Sequence, residues 1–121
     1  MPVPPNALPQ AICSQASYPD RQVVTLSGDG GLAMLMGELL SLQQLQLPVK
    51  LIVFKNDALA FVELEMKAAG FLEFTTDLRN PDFAKIAEAS GILGLTAEPP
   101  EQVRPMISQA LEHKEIGRAH V

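Results

Sequence analysis

A chain of 121 residues with 47% hydrophobic and 19% charged side chains has the mix of one globular domain, not of a disordered segment. Nine Lys and Arg against fourteen Asp and Glu leave a net charge of −5, which excludes a surface built to neutralise nucleic acid but not a phosphate held by backbone amides and a metal. Cys13 is the sole cysteine, so no internal disulfide forms and a reducing, cytoplasmic setting is expected; neither a signal-peptide pattern nor a run of about 18 apolar residues is apparent.

The first five residues are proline-rich and read as a frayed beginning. Ala7, Leu8, Ala11, Ile12 and Ala16 recur near helical spacing and predict a helix over 6–16, with Pro9 tolerated in its first turn. A turn at 18–21 leads into residues 22–27, where Val23, Val24 and Leu26 predict a buried parallel strand. Residues 32–45 predict a helix apolar over most of its surface, with Met34 and Met36 in the core. Pro48 stops it, and 49–54 reads as a second strand with Lys50 at a solvated end. Residues 58–70 begin as a loop and turn helical near Phe61, and 71–78 show no clear period. Asn80 and Pro81 predict a helix start, with Asn80 as cap, Phe83, Ile86 and Ala87 as the buried face and Gly91 at the C′ position. Residues 92–96 suggest a weak strand. A last helical pattern spans 101–113; it either starts at Pro105 or is kinked there, and His113 reads as its solvent-facing end.

The chain is organised around residues 28–58. Gly28, Asp29, Gly30 and Gly31 close the first strand, and Asn56, Asp57 and Ala58 close the second, with a helix between them. In a parallel sheet both strand tips lie on one edge, so Asp29 and Asn56, 27 residues apart, can face one another. A carboxylate and a carboxamide oxygen are hard ligands suited to Mg²⁺, and glycine amides beside them can approach a phosphate. Either motif alone is ordinary turn chemistry; the pair, each after an apolar strand, is the stronger signal. The sequence offers no Ser–His–Asp or Cys–His constellation and no Cys/His cluster for zinc. Its glycines do not make a dinucleotide fingerprint.

Residues 28–40 read GDGGLAMLMGELL, 47–56 read LPVKLIVFKN and 60–70 read AFVELEMKAAG. Over roughly residues 6–113 these stretches resemble the C-terminal domain of thiamine-diphosphate enzymes, and most of all the pyruvate oxidase branch, which includes quinone-dependent pyruvate dehydrogenase. The resemblance implies an α/β fold, a mostly parallel sheet with helices on both faces, truncated here because the family would supply a final core strand after the last helix. It implies one thiamine-diphosphate-binding domain over 1–115, part of a longer protein. Residues 116–121 (IGRAHV) match the translation of a common sequencing adapter and are excluded as an artefactual tail, His120 with them. The implied cofactors are thiamine diphosphate and Mg²⁺, with FAD bound by a domain of the full-length protein and not by this chain.

Carried over residue by residue, the resemblance makes Asp29, Asn56 and the Ala58 carbonyl the metal ligands. Gly28, Gly30 and Gly31 become the backbone near the diphosphate, and Phe61, Val62 and Glu65 become pocket residues near the reacting end of the cofactor. Lys55 stands where the family has a first asparagine, and Ala60 where it has a glycine, which predicts an altered loop. The implied activity is oxidative decarboxylation of pyruvate to acetate with electrons passing to a quinone. It runs in a homo-oligomer whose cofactor site lies between subunits. Any peripheral membrane contact belongs to a C-terminal tail. The glutamate that activates the cofactor comes from a neighbouring subunit and matches no residue here, so the chain alone is expected to be inactive. An acetolactate synthase, a keto-acid decarboxylase and a non-catalytic structural fragment are the alternatives.

Overall fold

The computed structural model describes residues 6–113; the expectations for 1–5, and for the tail with its His120, fall outside them. The element order is α1 (Ala7–Ser17), β1 (Val24–Gly28), α2 (Asp29–Met34), α3 (Glu38–Leu45), β2 (Lys50–Phe54), α4 (Ala60–Ala68), α5 (Phe83–Ala89) and α6 (Pro100–Glu112). β1 and β2 are parallel neighbours in register, with Leu26 beside Ile52 and Gly28 beside Phe54. Their carboxyl ends therefore finish level. This is an α/β fold built on a parallel pair.

α1 forms because Leu8, Ala11 and Gln15 recur on one face, and all three are buried. Gln15 is polar and half satisfied: its side-chain N–H groups donate to Tyr18 O (3.2 Å) and Arg21 O (2.9 Å), shaping the turn into β1, while its side-chain oxygen is buried without a partner among the described residues. The core joins α1 to Leu32, Leu39 and Leu42 of α2 and α3, to Val49 and Leu51 of the second strand region, and to Phe83, Ala87 and Ile92. Each large aliphatic side chain buried there contributes roughly 1.5–3 kcal/mol.

The structure departs from the pattern-based expectations at several points. The single helix expected over 32–45 is two. It starts at Asp29, breaks after Met34 and resumes at Glu38; Leu35, Glu38, Leu39 and Leu40 each donate to the carbonyl three residues back, so tight turns replace the α ladder. The break rotates Met34 out to solvent, while Met36 packs against the core. β1 is not buried on both faces, since Val24 and Leu26 are about half exposed. Leu26, Ile52 and Phe54 border an open cleft of about 920 Å³ facing Val103, Met106 and Ile107.

Lys50 is not a solvated strand end. It is 2% exposed, and its ammonium donates to His113 O at 2.6 Å. Burial holds its pKa below the usual lysine value. With Gln22 donating to Leu111 O at 2.9 Å, this bond ties the end of α6 to the sheet and leaves His113 half-buried.

Asp82, not Asn80, caps α5, accepting from Lys85 N at 3.1 Å. Gly91 takes the expected C′ role, with φ of +77°. Gly91 N donates to Glu88 O and Ile92 N to Ala87 O, the paired bonds of a Schellman end. The weak strand expected over 92–96 is absent. Ile92 is buried as the hydrophobic partner of that helix end, and a Cβ on Gly94 would come within 2.2 Å of Ala84 O, so the chain is folded tightly against α5. α6 starts at Pro100 and runs through Pro105, leaving the Glu101 carbonyl without its ladder donor on an exposed face.

Candidate functional site

Asp29 is the first residue of α2, directly after β1, and is 2% exposed. A buried carboxylate needs donors, and it has four. Oδ1 accepts from Gly30 N at 2.9 Å. Oδ2 accepts from Asn56 N (3.0 Å), Asp57 N (2.7 Å) and the Asn80 side-chain amide (2.7 Å). The level ends of β1 and β2 make this possible: the carboxylate at one tip gathers the backbone of the other.

Asn56 and Ala58 complete the cluster. The Asn56 carboxamide sets one of its polar atoms 3.1 Å from Asp29 Oδ1 and 3.0 Å from Ala58 O. With its oxygen there, three acceptors face one another, an arrangement a cation relieves. With its nitrogen there, the amide hydrogen-bonds both oxygens. A carboxylate, a carboxamide and a backbone carbonyl within this distance fit a small hard cation that completes its shell with waters and phosphate oxygens. Among the described residues no group of three His, Cys, Asp or Glu side chains could hold a metal. The Asp29–Asn56–Ala58 set is of another kind, since two of its three oxygens are neutral.

The intervening turn is shaped by Asp57, whose φ of +54° lies in the left-handed region. Its carboxylate accepts from Asn80 (3.0 Å) and pairs with Lys55 (3.3 Å). The Asn80 hydrogen bond, and after it Lys55, hold the Asp57 carboxyl below the usual carboxylate range, against the opposing effect of desolvation. Lys55 thus serves the turn and is not one of the three clustered groups. Ala60 needs none of glycine's freedom, because it is the first residue of α4 and its φ is not positive.

The three expected pocket residues all lie on α4, which begins two residues after Ala58. Phe61, Val62 and Glu65 are exposed and fall on one face by their helical spacing. α4 buries none of its residues. Residues 57–59 pair antiparallel with 76–78, through Leu59 N to Thr76 O (2.7 Å) and Leu78 N to Asp57 O (2.8 Å). Lys67 bridges Glu63 and Glu73, tying the helix to the segment after it.

Of the glycines, Gly28 has open space where a Cβ would stand. The Gly30 N–H, expected to face a phosphate, is taken by Asp29, and a Cβ on Gly30 would meet Leu59 at 2.7 Å. Gly31 lies half-buried in the first turn of α2. Sequence reasoning missed Asn80, which it assigned to helix capping. The available signal was three consecutive residues, Asn80, Pro81 and Asp82, with two side chains able to cap and only one helix start to use them.

A family model described as "Thiamine pyrophosphate enzyme, C-terminal TPP binding domain" matches residues 6–117. The chain is 34% identical over 104 residues to a putative thiamine pyrophosphate-containing protein of Bacillus subtilis, covering 86% of this chain and 18% of that one. It is also 34% identical over 104 residues to the pyruvate oxidase of Lactiplantibacillus plantarum, covering 85% and 17%. With the large subunit of acetolactate synthase isozyme 2 of Escherichia coli it shares 35% over 107 residues, covering 86% and 19%. Among solved structures, a thiamine diphosphate-dependent 4-hydroxybenzoylformate decarboxylase of Rhodococcus jostii superposes with a TM-score of 0.86 at 28% identity, covering 98% of this chain and 23% of that one. The chain spans about a fifth of the length of these relatives.

Proposed function

The chain belongs to the thiamine pyrophosphate enzymes, as their C-terminal TPP-binding domain, and on that premise we propose that it holds the Mg²⁺–diphosphate end of thiamine diphosphate through Asp29, Asn56 and the Ala58 carbonyl. The observation that carries this reading is the convergence of Asp29 Oδ1 (3.1 Å) and Ala58 O (3.0 Å) on the Asn56 carboxamide, on the edge where two parallel strands end. When bound, thiamine diphosphate supplies a nucleophilic carbon that adds to a keto acid and stores the electron pair released with carbon dioxide. The residues of this chain anchor and orient. Asp29 gives a charged oxygen to the metal and holds the tip of β2. Asn56 and Ala58 add neutral oxygens, so the metal keeps positive charge to set against the diphosphate. Phe61, Val62 and Glu65, exposed on the helix that starts beside the cluster, are placed to wall the reacting end.

The whole protein, in this reading, is a pyruvate oxidase or quinone-linked pyruvate dehydrogenase, with FAD as electron acceptor, quinone as partner and a homo-oligomeric, cytoplasmic assembly. The likeness of residues 60–70 to that branch supports it. A second reading, an acetolactate synthase, draws on a sequence identity as high as that to the pyruvate oxidase.

The test of the binding reading is calorimetric titration of thiamine diphosphate with and without Mg²⁺. Binding by the parent chain is expected to require the metal. Asp29→Asn keeps the size of the side chain but removes its charge, and is expected to weaken Mg²⁺-dependent binding about tenfold or more. Unchanged, metal-independent binding by Asp29→Asn would overturn the assignment and leave the cluster a structural feature.

A further inference from the structure

The two oxygens of Asp29 have different surroundings. Oδ2 faces three donors, while Oδ1 faces the Gly30 amide and the Asn56 carboxamide. Two of the donors on Oδ2 are the backbone N–H groups of Asn56 and Asp57, which come with the tip of β2. The third is the side chain of Asn80, 51 residues further along the chain. It reaches Asp29 because the short antiparallel pairing of 57–59 with 76–78 returns the chain to the strand tips.

We propose that Asn80 is a positioning residue for the cation site: it fixes the Asp29 carboxylate so that Oδ2 stays with the protein and Oδ1 is presented to the cation. Both N–H groups of its amide are used, one on Asp29 Oδ2 at 2.7 Å and one on Asp57 Oδ1 at 3.0 Å. The chemistry of the amide suits this place. A carboxylate free to rotate about its last bond presents either oxygen; one whose second oxygen carries three donors does not. A lysine or arginine in the same position would also donate, but its charge would compete with the cation for Asp29. Asn80 supplies direction without charge. It also separates two carboxylates, Asp29 and Asp57, by standing between them as a shared donor.

This inference rests on the reading of Asp29 as a cation ligand, and its test separates the two. Mn²⁺, which has a paramagnetic signal and oxygen ligation like that of Mg²⁺, is titrated into the full chain with thiamine diphosphate, and free Mn²⁺ is read by electron paramagnetic resonance. Asn80→Ala is expected to weaken Mn²⁺ binding roughly 10- to 100-fold, the usual effect of removing a partner that orients a ligand, with the circular dichroism spectrum unchanged. Asn80→Ser, which keeps one donor, is the second variant should Asn80→Ala not fold, and is expected to fall between. Asp82→Ala removes the cap of α5 two residues on and leaves both hydrogen bonds of Asn80 in place, and is expected to bind Mn²⁺ like the parent. Parental affinity in folded Asn80 variants would overturn the proposal. So would an equal loss in Asp82→Ala, which would mean that Asn80 acts only through the stability of the segment that carries it. If the parent chain itself takes up no Mn²⁺ with thiamine diphosphate, the reading of Asp29 fails and this proposal falls with it.

Discussion

At the scale of single residues, burial decides what a side chain does. Asp29 and Lys50 are both 2% exposed, and each has found partners in keeping with its charge. Asp29 collects four N–H donors; Lys50 finds one carbonyl, that of His113. The lysine is therefore the less well compensated of the two, and its lowered pKa reflects that. Because the folded pKa lies below that of the unfolded chain, the unfolded state binds more protons between the two values. Stability is thus expected to rise with pH from the lowered pKa up to the ordinary value of 10.5, with the full burial cost present below that window. Lys50→Met is expected to abolish this rise and to leave stability at pH 7 unchanged or higher by about 1 kcal/mol. Urea unfolding of both proteins from pH 7 to 10.5 measures it, and a parallel rise in the variant would refute the account.

At the scale of elements, α4 differs from the other helices. It buries no residue and is held by the antiparallel pairing at its start and by the Lys67 bridge to Glu63 and Glu73 near its end. Glu63 is kept below, and Lys67 above, its ordinary pKa by that contact. Lys67 and Glu73 are about half exposed and Glu63 is partly so, and solvent screening leaves the bridge worth little to stability. Lys67→Met is therefore expected to shift the thermal midpoint by less than about 8 °C. Helices without buried contacts open first, so the amides of 60–68 are expected to exchange with deuterium roughly tenfold or more faster than those of α3, where Leu39 and Leu42 are buried. Equal protection in the two helices would show that α4 is held by contacts other than these. The exposed face with Phe61, Val62 and Glu65 lies on this least anchored element, which suits the pocket role proposed for them.

At the scale of the whole molecule, the parallel pair with level strand ends turns two separate turn motifs into one site. The chain spans about a fifth of its relatives, and no residue in it matches the glutamate the resemblance assigns to cofactor activation. The chain alone is accordingly expected to bind Mg²⁺–thiamine diphosphate without releasing carbon dioxide from pyruvate, as measured by a carbon dioxide trap. In the protein that carries this domain, acetate is the product expected from the oxidase reading, and acetolactate from the synthase reading. Chromatography of the products distinguishes them.

The Gly28–Gly31 and Asn56–Ala58 motifs, their spacing and the strands that precede them were legible in the sequence because each depends on local chemistry: apolar β-branched runs, turn residues at strand ends and glycine beside a carboxylate. The Gly91 helix end was legible for the same reason. What stayed hidden depends on partners distant in the chain. Periodicity shows that 32–45 is apolar but not that tight turns rotate Met34 to solvent. Lys50 reads as a charge at a strand end until the end of α6 is laid over it. Asn80 reads as a cap until the pairing of 57–59 with 76–78 carries it to Asp29. Local pattern alone pointed to the residues that form the two halves of the proposed site. Only the tertiary structure decided how the two oxygens of one carboxylate are shared, because a buried charge takes its donors from whatever the fold brings within hydrogen-bonding distance.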